Sequence, residues 1–484
     1  MITRKKKSLI IFILMGICLI FYSFQLSTQS FAIIPYKIYF NSINLFNSTY
    51  SRVINMTSTE SSNTKKPEKL FWYDDQSVIS RTSDCDKYFK ESVPVPGVDE
   101  EYILHENTSN APLAFSHLVH SQSAILEVFL SIYFRPNNFH CIHVDKKSNT
   151  TFKKAIANLI RCYSNKTKQG EIFTLSEVDS FSVDWGGNTM LKADLKCLSK
   201  LLELNQRKNQ TLRWSHSVSI AGSELPIVTY SSFRDKITRK LGTDLSSVES
   251  FILPPENFFR LSDEQNKDSR SFQNGSLQEN IFEISKPLSN FTNTTPSYNS
   301  SNNNKIEFKV FKGIRNVILS SKDVDFLLNN EISKEFLNWF SKGSFTEEHF
   351  YSTVIRFHID TQNSNSVLQN TSSEQIRQNS GGITFTSGNT LHGICPRFTD
   401  WYCSDCYGEC HNAICNFNIK DLSKVQENST ECLIANKFNL DVDPSAVSQQ
   451  WINLITKMST EENNNQRLFY WSKMKEKIYK LAKS

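Results

Sequence analysis

The segment Phe139-His-Cys-Ile-His-Val-Asp145 constrains this chain more than any other. Cys141, Ile142 and Val144 fit a strand covered on both faces, as in a parallel sheet. A carboxylate just past the carboxyl end of such a strand stands where open α/β sheets bind their ligands. Asp145 is therefore either a ligand-binding residue or a helix cap, and the rest of the chain decides between the two.

The flanking pattern extends the sheet. Leu113 to Val119, Ile172 to Leu175 and Trp214 to Ala221 also read as strands. Ala124 to Phe134, Phe152 to Cys162 and Asn188 to Leu204 read as helices, the last with Leu191, Leu195, Leu198 and Leu202 on one face. Strands alternating with helices of this length imply βαβ units. No Gly-x-Gly-x-x-Gly follows the first strand, which argues against a dinucleotide site. Further on, Asn316 to Ser320 looks like a strand, and Val324 to Leu328 and Phe336 to Phe340 look helical. Asn290 to Asn304 and Gln362 to Gly382 are rich in Asn, Ser and Thr and read as surface loops.

The N-terminus indicates a compartment. Arg4-Lys-Lys-Lys7 precedes an uncharged run from Leu9 to Phe24. The run falls slightly short of the ~20 apolar residues of a typical span, and its basic flank predicts a cytoplasmic N-terminus with a lumenal remainder. A cleaved signal peptide fits less well, because the run is long for an h-region and no Ala-x-Ala-like site follows. The expected organisation is a tail over 1–7, an anchor over 8–25 and a polar tether over 26–80. A folded domain over 81–484 follows, interrupted near 285–305 and 362–382. Of eleven cysteines, Cys18 lies in the apolar run and the other ten read as disulfides of an oxidising lumen. Cys403, Cys406, Cys410 and Cys415 have spacings that zinc sites also use, but that compartment favours disulfides. Asn-x-Ser/Thr triplets from Asn47 to Asn428 agree with exposure to the lumen. A net charge of +5, with Lys and Arg spread along the chain, leaves no nucleic-acid footprint.

Seven short motifs then occur in one order. They are Leu118-Val-His120, Phe139 to Asp145, Trp185 before Asp194-Leu-Lys-Cys197, and Ala221-Gly-Ser-Glu-Leu-Pro226. Thr346-Glu-Glu-His-Phe350, Cys406-Tyr-Gly408 with Cys415, and Ala435-Asn-Lys-Phe438 complete the set. In that order and spacing the chain resembles the core 2/I-branching β-1,6-N-acetylglucosaminyltransferases, from about Cys85 to Asp443. The resemblance implies an α/β fold with a GT-A-like, Rossmann-type nucleotide-binding domain, held in the Golgi membrane by a single span. It implies inverting transfer of N-acetylglucosamine from UDP-N-acetylglucosamine to the 6-hydroxyl of a sugar, with no metal and no cofactor. The partners would be a UDP-sugar, a glycan or glycoprotein acceptor and the membrane, and no nucleic acid.

Residue by residue, the resemblance makes Glu348 the base that takes the hydroxyl proton. The plainer alternative is that Glu347 and Glu348 decorate a helix N-terminus, where negative charge is favoured. Lys437 matches a cation on the UDP diphosphate. The family's second cation, an arginine, corresponds to Asn412, which supplies no charge; His411 or Lys420 are the nearest substitutes in sequence. Val119, His120 and Asp145 match positions near uracil and ribose. Glu249 and Trp401 match acceptor contacts, and Glu224 replaces the family's usual Asp. The implied disulfides are Cys85 with Cys162, Cys141 with Cys197 and Cys406 with Cys415. Cys395, Cys403, Cys410 and Cys432 are left to pair among themselves. Asp323-Val-Asp325 and Asp441-Val-Asp443 look like metal-binding Asp-x-Asp pairs but lie outside the nucleotide half, so both are read as structural. Two alternatives stay open: a peptide O-xylosyltransferase-like activity and a catalytically silent, sugar-binding homologue.

Overall fold

A strand with apolar residues on both faces is stable only if both faces are covered, and the chain covers them. The computed structural model describes residues 74–461, except for 100–110, 286–304, 368–392 and some shorter stretches. In chain order the N-terminal half contains α1 (Asp75–Arg81), β1 (Leu113–Val119), α2 (Ser123–Tyr133), β2 (Phe139–Val144) and α3 (Thr150–Ser164). It continues with β3 (Glu171–Thr174), α4 (Thr189–Asn205), β4 (His216–Ala221) and β5 (Glu224–Pro226). The rest supplies β6 (Phe251–Ile252), β7 (Arg270–Asn274), β8 (Leu277–Ser285), β9 (Lys305–Lys309), β10 (Phe311–Lys312) and β11 (Ile318–Ser320). Then come α5 (Ser321–Asn329), α6 (Glu331–Phe340), α7 (Thr346–Val367), β12 (Cys395–Thr399), β13 (Glu409–His411), β14 (Ile414–Asn416), β15 (Cys432–Asn436) and α8 (Pro444–Glu461).

The main sheet has the order β11-β4-β1-β2-β3. Strands β1 to β4 run parallel and β11 runs antiparallel at the edge. All seven residues of β1 are buried. Phe139 and Cys141 pack on one face with Leu191 and Leu198 of α4. Ile142 packs on the other with Leu126, Leu130 and Ile156 of α2 and α3. The register sets Val119 beside Val144 and Leu118 beside Ala221, so β1, β2 and β4 end nearly flush. Chain order reverses between β1 and β4, and crevices at such switch points receive ligands. This is a mixed α/β domain consistent with a GT-A-like fold.

Two smaller sheets matter for the site. Strands β12, β15 and β5 pair side by side, which ties the turn after β4 to the C-terminal part of the chain. Strands β10 and β6 pair antiparallel, and β10 packs on α7. Gly313, just after β10, sits so close to its neighbours that an added Cβ would lie 2.0 Å from the Glu249 carbonyl and 2.3 Å from Ser352 Oγ. Only glycine allows that approach.

Two boundaries differ from the sequence reading. Residues 75–80, placed in the tether by composition, belong to α1, where Val78 is fully buried. Arg81 pairs with Glu127, and Asp75 accepts from Ser123 N–H (3.0 Å) and Oγ (2.7 Å). Those partners are distant in sequence, so local polarity misleads there. The insert set at 362 begins as helix, because α7 continues to Val367. The tail, the anchor and the tether to residue 73 lie outside the described residues, as do 286–304 and 368–382. Among the described residues, no helix is long and apolar enough to cross a membrane.

Five disulfides are present among the described residues: Cys85–Cys162, Cys141–Cys197, Cys395–Cys432, Cys403–Cys410 and Cys406–Cys415. The Asp-x-Asp carboxylates serve local structure. Asp323 accepts from Ser320 Oγ (2.9 Å) and from Ser246, whereas Asp325 accepts from Gln206 (3.1 Å). Asp443 accepts from the Ile419 and Ser445 N–H groups at 2.8 Å each, and Asp441 from Gln122 at 3.1 Å.

Candidate active site

The carboxyl edge of the sheet builds the first group of residues. Past β2 the chain turns, and the Asp145 N–H donates to the Val119 carbonyl (3.0 Å). Its carboxylate is buried and accepts from Lys147 N–H (2.8 Å) and Val183 N–H (3.3 Å). Asp145 therefore fastens the ends of β1 and β2 to the loop that follows β3. His120 keeps an exposed edge. Desolvation of its ring lowers its pKa; Asp145 opposes that shift, while Lys437 and Lys147 add to it. Val119, His120, Asp145 and Lys437 are thus brought together, although Lys437 lies far along the chain.

Long-range pairing explains how Lys437 arrives. Glu224 in β5 pairs with Asn436 in β15, Ser223 Oγ donates to Asn436 Oδ1 (3.1 Å), and Phe438 N–H donates to the Ser223 carbonyl (2.9 Å). Glu224, whose side chain is fully buried, holds the turn. It accepts from Ala221 N–H (2.7 Å), Asn316 Nδ2 (2.8 Å) and Arg397 Nη1 (3.2 Å). Its role is structural. Lys437 is half-buried and forms no ion pair among the described residues. Asn412 and Ala413 occupy the turn between β13 and β14 with φ +50° and +59°. A two-residue hairpin turn of this kind requires positive φ at both positions, and Asn tolerates it well. Asn412 is exposed, and the Lys420 ammonium lies 5.8 Å from the Tyr407 ring centroid.

The second group surrounds Glu348 in the first turn of α7. Its Oε2 is clasped by Arg260 and lies 3.4 Å from Lys312 Nζ. Glu249 is close enough for Glu348 to raise its pKa. Burial raises it most, while Arg397 and Lys312 oppose the shift. Glu347 points inward, and burial pushes its pKa up to about 7. Arg260, Lys312 and Arg397 escape sequence reasoning because no local pattern marks them; only β10, β12 and the segment after β6 bring them to one place. Lys147 carries no such mark either, though it sits two residues past Asp145. Trp401, 45% exposed, bridges to Ile414 on the hairpin. No hydrogen bond or ring contact among the described residues joins it to Glu348 or Glu249.

The site thus sets cations beside a strand-end carboxylate and a clasped carboxylate at a helix start, on a mixed α/β domain. The family model described as Core-2/I-Branching enzyme matches residues 113–426, and the chain belongs to that family. A Danio rerio relative, "Beta-1,3-galactosyl-O-glycosyl-glycoprotein beta-1,6-N-acetylglucosaminyltransferase 4", is 27% identical over 292 residues, covering 60% of this chain and 59% of the relative. The Mus musculus relative of the same description is 26% identical over 58% of this chain and 54% of the relative. A Bos taurus relative, "Beta-1,3-galactosyl-O-glycosyl-glycoprotein beta-1,6-N-acetylglucosaminyltransferase", is 24% identical over 81% of this chain and 80% of the relative. The chain thus spans less than two thirds of the length of the first two relatives.

Proposed function

We propose that the protein is an inverting β-1,6-N-acetylglucosaminyltransferase using UDP-N-acetylglucosamine, with its folded domain in the Golgi lumen behind the anchor at 8–25. The observation that carries this reading is Glu348, clasped by Arg260 and Lys312 beside Glu249, in a chain of the Core-2/I-Branching family. In the reaction the Glu348 carboxylate takes the proton from the acceptor's 6-hydroxyl. The oxygen attacks C1 of the sugar from the side opposite the diphosphate. The C1–O bond to UDP breaks and leaves UDP carrying the electron pair. Arg260 and Lys312 fix the orientation of the base, which a displacement of this kind requires. Lys437 meets the charge that develops on the diphosphate, and the reaction needs no metal. With Asn412 uncharged, Lys147 is the second cation beside His120.

Asn412 favours one other reading, a catalytically silent homologue that binds sugars without transfer. Full-length protein in detergent, given UDP-N-acetylglucosamine or UDP-xylose with a galactosyl-GalNAc acceptor or a serine-containing peptide, separates them. The expected result is transfer of N-acetylglucosamine that persists in EDTA and is lost in Glu348→Gln. Binding without turnover favours the silent homologue, xylose transfer favours a peptide O-xylosyltransferase-like enzyme, and loss of activity in EDTA refutes the metal-free mechanism.

A further inference from the structure

The loop 183–186 joins the two halves of the site. At one end Val183 N–H donates to the Asp145 carboxylate (3.3 Å), and Lys147 Nζ donates to the Val183 carbonyl (2.6 Å) and to Asp184 (2.7 Å). At the other end the Gly186 carbonyl accepts from Phe345 N–H (2.8 Å), and the Phe345 carbonyl accepts from Glu348 N–H (3.0 Å). Four residues thus link the strand-end carboxylate to the helix that carries the base. Gly186 has φ +78°, and an added Cβ would meet the Phe345 ring at 3.1 Å.

The large side chain on this bridge is Trp185, and it is 75% exposed. An indole so exposed gains little from folding. It is nonetheless braced, edge-on to Phe345 with 4.9 Å between centroids and 85° between planes. Phe345 in turn carries the Arg260 guanidinium 4.5 Å from its centroid, and Arg260 clasps Glu348. A large apolar group held rigid and left open is pre-organised for a ligand. The nucleotide end and the base end of the bridge bracket the ring that is transferred between them.

We propose that Trp185 is the platform on which the hexosamine ring of the nucleotide-sugar donor lies, with Phe345 as its positioning residue. This rests on the function proposed above. An aromatic face suits the C–H face of a pyranose, and the wet edge of the site leaves the sugar hydroxyls free to hydrogen-bond.

The test uses full-length Trp185→Ala, Trp185→Phe and Phe345→Leu in detergent, with calorimetric binding of UDP and of UDP-N-acetylglucosamine and separate KM values for donor and acceptor. Trp185→Ala is expected to weaken UDP-N-acetylglucosamine and raise the donor KM roughly tenfold while UDP affinity and acceptor KM stay within about twofold. Trp185→Phe restores most of the loss, and Phe345→Leu, which also removes the ring beneath Arg260, raises the donor KM by less and lowers kcat as well. Equal losses for UDP and UDP-N-acetylglucosamine would make Trp185 a nucleobase contact, and a change confined to the acceptor KM would make it an acceptor contact. Either result overturns the proposal, as does no change in any of them. A parent protein that binds no UDP refutes the proposed function and this proposal together; binding and transfer indifferent to Trp185 refute this proposal alone.

Discussion

The two halves of the site are built by different physics. At the carboxyl edge of the sheet, position is set by backbone: Val119, His120 and Asp145 stand where flush parallel strands end, and Asp145 is fixed by main-chain N–H groups. Around Glu348, position is set by side-chain charge: Arg260 and Lys312 converge on one carboxylate from separate segments. A backbone-built site tolerates loss of one side chain better than a charge-built one, because its geometry is over-determined. The two halves also hold opposite buried groups. The sheet buries a neutral imidazole pair, His117 and His140, 3.2 Å apart, and the base half buries the carboxyl of Glu347.

The largest effect is expected where charge and chemistry coincide. Glu348→Gln keeps the shape and removes the carboxylate proposed as the base, so transfer should fall roughly 10³-fold, with UDP binding by calorimetry unchanged. Loss of UDP binding in this variant would show that the halves are not separable. Next in size, Arg260→Met frees the Glu348 carboxylate from its clasp, and kcat should fall roughly 10- to 100-fold. Arg260→Lys should recover little, since an ammonium cannot reproduce the guanidinium's contact with both Glu348 and the Phe345 ring. Full activity in Arg260→Met would mean that Lys312 alone positions the base.

This division also decides what a reader of the sequence can see. Apolar-rich segments locate β1 and β2 to the residue, even though Ser116, His117, His140 and His143 interrupt them, because apolar residues fall on both faces. The turn Ala221 to Pro226 and the segment Ala435 to Phe438 are visible as motifs, yet their pairing through β5 and β15 is not. Arg260, Lys312 and Arg397 are invisible as site residues, since nothing local distinguishes them from solvated cations. Helix α1 fails for the same reason in reverse: its seven residues look polar, and their burial depends on Ser123 and Glu127. Asn412 is legible as a lost charge, but its fitness for a positive-φ turn emerges only with the hairpin.

The pH responses of the halves should oppose each other. Glu347 is pushed up to about 7 from an ordinary 4.5 by burial, so the folded protein keeps a proton that the unfolded chain releases. Its contribution is whole below pH 4.5 and is lost as pH rises toward 7. Glu347→Gln removes this loss. Urea unfolding at pH 4.5 and 7.5 should show the variant gaining on the parent by on the order of 2 kcal/mol across that interval. A constant difference between the two would mean that Glu347 ionises in the folded state as it does in water.

The imidazole pair gives the smallest effect and the opposite sign. Burial lowers His117 to about 3 and holds His140 well below the usual 6.5. The unfolded chain therefore takes up protons that the folded sheet refuses. Stability is whole above pH 6.5 and falls as pH drops below it. His140→Phe places an apolar ring where the imidazole stacks on Phe115, with 4.8 Å between centroids and 13° between planes, and it deletes one refused proton. Replacing a histidine can shift stability at every pH, so the change between pH 7.5 and pH 5.5 is the readout rather than either value. Over that interval the parent should lose about 1 kcal/mol more than the variant. A parent that loses no more than the variant over that interval would mean that the sheet opens enough to hydrate His140. The backbone-built half would then be less rigid than its register implies.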